Sequence, residues 1–70
     1  MKTKRDIGKI IKEGREKANI SQRKLAAMCG ISRQHLKNIE SGKVDVRIST
    51  LAKISEALGI PIIVFFNGRR

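Results

Sequence analysis

The sequence predicts an all-α fold, a compact bundle of four to five short helices closed by a short C-terminal β-strand. Three observations carry that expectation. Apolar residues recur in steps of three and four through residues 7–58, the period of amphipathic helices. Within residues 21–42 the pattern breaks once, at Gly30, and reads as helix, tight turn, helix. From Ile62 it changes to five consecutive β-branched or aromatic residues, which read as a strand.

Thr3 through Asp6 has the spacing of a capping box, with Thr3 as cap and Asp6 reaching back to it. Ile7, Ile10, Ile11, Gly14 and Ala18 then follow helical spacing, so the first helix is expected over residues 4–18. Gly14 inside it costs about 1 kcal/mol relative to alanine, which close packing against a fourth or fifth helix would explain. Ser21 is placed to cap a second helix over residues 22–29, whose inner face is Leu25, Ala26 and Cys29. Gly30 suits the left-handed turn that follows, Ile31 plugs it, and Ser32 caps a third helix from Arg33 to about Ser41. Small Ala26 lets that helix cross closely, as a helix-turn-helix requires. After a loop over residues 42–47, Ser49 is the expected cap of a fourth helix with Ile48, Leu51, Ile54 and Leu58 facing inward. Gly59 closes it before Pro61.

The strand is expected over residues 61–67, between Pro61 and Asn67-Gly68. A single strand leaves its backbone groups unpaired, and pairing with the same strand of a second copy would satisfy them in a two-fold dimer. Ile62, Ile63, Val64, Phe65 and Phe66 are therefore the expected homodimer interface, with a fifth helix as the alternative.

Seventy residues make one domain, 1–70, too short for a second core or for a deep, walled catalytic cleft. With aromatic content of only 3%, the interior must be built from Ile, Leu, Ala and Val, and the stability margin of a lone monomer is of order 5 kcal/mol or less. Sixteen Lys and Arg against six acidic residues give a net charge of +10, a field that attracts polyanions, nucleic acid first among them. The single cysteine, Cys29, cannot form an internal disulfide and reads as a small buried hydrophobe. No apolar run has the length of a membrane span and no signal-peptide core follows Met1-Lys2, so a cytoplasmic protein is expected. No nucleophile stands beside a base, no paired carboxylates lie in an apolar stretch, and no phosphate loop or metal constellation is present; neither enzyme activity, a cofactor nor a small-molecule ligand is expected.

The residues of the third helix that do not face the core are Arg33, Gln34, His35, Lys37, Asn38 and Ser41. A merely solvated helix would interleave Glu with Lys. Here instead are a guanidinium and amides, groups that fork onto the major-groove edges of guanine and adenine. Arg33, Gln34, Lys37 and Asn38 share one side of the helix near the end that enters the groove. His35 has no second ligand at metal-binding spacing, and a solvated side chain is its plain alternative.

Leu25, Ala26, Cys29, Gly30, Ile31, Leu36 and Ile39 fall at the spacings of the phage-repressor helix-turn-helix family, the Cro/CI or XRE type. The resemblance continues through Ile39-Glu40-Ser41-Gly42-Lys43 and through residues 51–60, and covers roughly residues 6 to 60. It implies that Arg33, Gln34 and Asn38 read bases, with His35 and Lys37 at the sugar-phosphate edge or a neighbouring base. It also implies phosphate contact by Gln22, an ion pair between Arg15 and Glu40, and double-stranded DNA as partner. Arg23, Ser32, Ser41, Lys43 and Arg47 lie around the rim as further phosphate candidates, and Lys2, Lys4, Arg5, Arg69 and Arg70 as basic ends that add affinity without selectivity. The tail resembles the HipB-type antitoxin branch, whose chains end in a strand.

The expected function is therefore a homodimeric transcriptional repressor on an inverted-repeat operator. Two alternatives are an antitoxin that also holds a HipA-like kinase toxin, and a protein-interaction module that binds no DNA.

Overall fold

The structure is a computed structural model and describes residues 2–66. Among these residues the chain forms α1 (Lys4–Lys17), α2 (Gln22–Cys29), α3 (Arg33–Glu40), α4 (Ile48–Leu58) and α5 (Ile63–Phe66). The basic ends Arg69 and Arg70, and the last residue of the expected strand, Asn67, lie outside the described residues.

Local chemistry sets the helix ends. Thr3 and Asp6 form a reciprocal capping box, each backbone amide donating to the other's side chain at 3.1 Å. The Thr3 amide holds the Asp6 carboxyl below the usual carboxylate range. Asn19, with φ of 59°, turns the chain out of α1, a left-handed conformation that Asn tolerates better than most residues. Ser21 and Ser32 accept from the amides of Lys24 and His35, both at 3.0 Å, satisfying donors that open α2 and α3. Gly30, with φ of 70°, ends α2 with a Schellman pair: the Ile31 amide donates to Ala26 O and the Gly30 amide to Ala27 O.

Two expectations at the tail and at α4 are corrected. Residues 61–66, the described part of the expected strand, do not make one; no strand is present among the described residues. The Val64 amide donates to Pro61 O and that of Phe65 to Ile62 O, both at 3.0 Å, so the segment satisfies its own backbone in a short helix. Phe65, only 1% exposed, is a core residue, and Ile62 is half-buried against that core, so neither lies on an open interface. At α4 the helix starts two residues earlier than a Ser49 cap allows: Arg47 occupies the cap position without a side-chain bond, and Ile48 faces outward, 66% exposed.

The core is a single cluster of Ile11, Leu25, Ala26, Cys29, Leu36, Ile39, Leu51, Ile54 and Phe65, with every helix represented. Burial pushes the Cys29 thiol up, away from the reactive thiolate. Helix α1 packs on α3 and α4, and α2 packs on both α3 and α4. The closest approach is at Gly8, buried on α1, where an added Cβ would strike the backbone oxygens of Ile39 and Glu40, the latter at 2.7 Å. Gly14 differs, because a Cβ there would meet the Ile60 Cδ1 methyl at 2.5 Å, the movable end of a side chain.

An ion pair locks the same junction. Arg15 Nε donates to Glu40 Oε2 at 2.7 Å and Nη2 to Oε1 at 3.2 Å, while Nη1 donates to Ile20 O at 2.9 Å. The two side chains are only 12% and 3% exposed, so each charge depends on the other.

Two stability measurements check this account. Gly8→Ala lowers the unfolding free energy by about 1–3 kcal/mol, since overpacking against backbone outweighs alanine's helix preference, whereas Gly14→Ala is tolerated; equal denaturant midpoints for the two variants would refute the distinction. Arg15→Met costs about 3–5 kcal/mol by stranding a buried carboxylate, and Arg15→Met with Glu40→Leu costs less than the sum of the single changes. Additive losses in urea titrations would show that the pair is not coupled.

Candidate nucleic-acid interface

Helix α3 presents a polar outer face because its apolar residues are spent inward at Leu36 and Ile39. Arg33, Gln34, His35 and Lys37 are exposed and Asn38 is half-buried. Gln34 Nε2 donates to Asn38 Oδ1 at 3.1 Å, one turn along the helix, so the two amides form a preset pair on the surface. That arrangement leaves amide and guanidinium donors and acceptors directed outward, the groups that match base edges.

The other expected contact residues are placed differently from one another. Gln22 does not stand open at the start of α2: its Nε2 donates to Glu40 Oε1 at 3.0 Å. One N–H of that amide is thereby committed to holding α3, and the second is left for a ligand. The Ser32 oxygen caps α3, and the Ser41 hydroxyl donates to Asn38 O at 3.1 Å. Arg23, Lys43 and Arg47 are exposed.

Two clefts flank Gln22. The larger, about 430 Å³, is lined by Arg15, Ser21, Gln22, Arg23 and Arg33. With Arg15 neutralised by Glu40, its field comes from Arg23 and Arg33, which brings the first residue of α3 beside the opening of α2. The smaller, about 210 Å³, lies between α1, α2 and the end of α3, lined by Lys12, Gln22, Lys37, Glu40 and Ser41. Lys43 and Arg47 line neither.

Sequence reasoning missed Gly8 and the Gln22 bond to Glu40. Gly8 stands on the same face of α1 as Ile11 and Arg15, three and seven residues away, and that register was the available signal. Nothing local to Gln22 indicates a partner eighteen residues on. Among the described residues no group of three or more His, Cys, Asp and Glu is placed to hold a metal ion, and no helix is long and apolar enough to cross a membrane.

Residues 11–65 match the helix-turn-helix family. The HTH-type transcriptional regulator PuuR of Escherichia coli is 35% identical over 60 residues, covering 86% of this chain and 32% of PuuR, so the chain spans about a third of that relative's length. Control protein C.MunI of Mycoplasma sp is 37% identical over 59 residues, covering 84% of this chain and 80% of its own. Among solved structures, the restriction-modification controller protein C.AhdI from Aeromonas hydrophila superposes with a TM-score of 0.83 at 27% identity, over 90% of this chain and 91% of that one. The chain therefore belongs to the helix-turn-helix family of DNA-binding regulators, in its Cro/CI (XRE) branch.

Proposed function

We propose that this protein is a sequence-specific transcriptional repressor that binds an inverted-repeat operator as a homodimer. The observation that carries the reading is the outer face of α3, where Arg33 and Lys37 flank the bonded amides of Gln34 and Asn38. Arg33, Gln34 and Asn38 read base edges in the major groove; His35 and Lys37 serve its rim. Arg23, Lys43 and Arg47, with the hydroxyl of Ser32 and the remaining N–H of Gln22, hold the flanking phosphates, whereas the Ser41 hydroxyl is already committed to Asn38 O. Occupying a promoter then excludes polymerase sterically. The similarity to C.MunI and C.AhdI, both named as controllers, supports a short regulator of this kind.

A second copy is proposed to dock on α5, because Ile63, Val64 and Phe66 leave apolar side chains exposed there, at 60%, 37% and 50%. A two-fold dimer built so would set two α3 helices in successive major grooves, about 34 Å apart. The antitoxin alternative loses its only sequence support with the strand, and nothing in the fold replaces it.

Selection from random duplexes is expected to return an inverted repeat. On that operator Arg33→Ala costs about 1–3 kcal/mol and flattens preference at one base position, whereas Lys43→Ala weakens all sequences alike. Retained preference in Arg33→Ala would reject the base-reading role, and wild-type binding that does not fall with rising salt would favour a module that binds no DNA. Ile63→Asp is expected to sediment as a folded monomer with weakened operator binding; an unchanged dimer would place the interface elsewhere.

A further inference from the structure

The smaller cleft brings a residue of α1 to the recognition helix. Lys12 and Lys37 line it together with Gln22, Glu40 and Ser41. The Glu40 carboxylate contributes little negative field, since Arg15 and Gln22 occupy both its oxygens. The Ser41 proton is spent on Asn38 O. What the cleft offers a ligand is therefore two ammonium groups and the second N–H of Gln22, donors only, the complement of a phosphate diester. Its position relates it to the larger cleft. Arg33 lines one and Lys37 the other, one helical turn apart on the same stripe of α3, with Gln22 as the ridge between them.

We infer that Lys12 is a DNA phosphate contact, forming with Lys37 and Gln22 a second phosphate seat that extends the footprint from the helix-turn-helix onto α1. The inference rests on the proposed DNA-binding function. One backbone strand along the rim of the groove fills both, held by Arg23 at the larger cleft and by Lys12, Lys37 and Gln22 at the smaller, while Arg33 reaches the bases. Lys12 itself is exposed and lies outside the core, so its substitution leaves the fold in place. The contact positions the protein on the duplex and carries no sequence information.

The test compares wild type, Lys12→Ala, Lys12→Arg and Lys17→Ala on the selected operator and on a random duplex between 50 and about 200 mM salt, the range over which counterion release is steep. Lys17 is the control, a lysine of the same helix that lines a different groove, with Ile10, Leu58 and Ile60. Lys12→Ala is expected to lose affinity by the same factor on both duplexes and to reduce the slope of log K against log salt by about 0.9 per protomer, about 1.8 for the dimer. Lys12→Arg keeps the wild-type slope, and Lys17→Ala also keeps it. Lys12→Ala and Lys17→Ala coinciding in affinity and slope would overturn the seat, since Lys12 would then act only through net charge. Wild type failing to bind either duplex in a salt-dependent way would overturn the DNA-binding reading itself, a result distinct from the coincidence of the two alanine variants.

Discussion

The neutralised carboxylate of Glu40 is the constraint on which the arrangement depends. It ends α3, lies almost fully buried, and takes hydrogen bonds from Arg15 on α1 and Gln22 at the start of α2. A buried charge so held acts less as a source of net stability than as a fixed register, because wrong pairings would strand it. Gly8 works at the same place from the other direction. By having no side chain, it lets α1 lie directly on the last carbonyls of α3. Attraction and close approach at one junction thus set the angle at which α3 faces outward.

The interior is correspondingly modest. Among the described residues nine buried apolar side chains, one from α5, form the core. None of the charged face of α3 is used to stabilise the fold beyond its own capping, so the surface is free to be chemically specialised. The exposed apolar residues of α5 are the counterpart of that economy, since a small core gains most from a partner.

Much of this was legible in the sequence because its signals are local. The caps at Thr3, Ser21 and Ser32, the turn at Gly30 and the periodic inner faces of α1 to α4 each follow from residues within a few positions of one another. The outward face of α3 was legible by subtraction, once Leu36 and Ile39 were assigned to the core. The tail was misread because five apolar residues fit a strand and a buried helical turn equally; what decided it was that Phe65 had space in the core, a tertiary fact. The Ser49 cap failed for a similar reason, as α4 begins at Ile48 with its side chain facing solvent. The Gln22 bond to Glu40 was beyond local reasoning, since its partner stands eighteen residues on, whereas the register of Gly8 with Ile11 and Arg15 showed its face but not the backbone it meets.

The bond between Gln34 and Asn38 has an implication for how such a molecule could acquire a new target. In the proposed base-reading role the two amides act as one composite reader, since a change at either removes the hydrogen bond that presets the other. On that reading a single change loosens the presentation of its neighbour, so a move to a different address is easier by a concerted double change. Coupling of that sort would keep related regulators sharing a cell insulated from one another's sites.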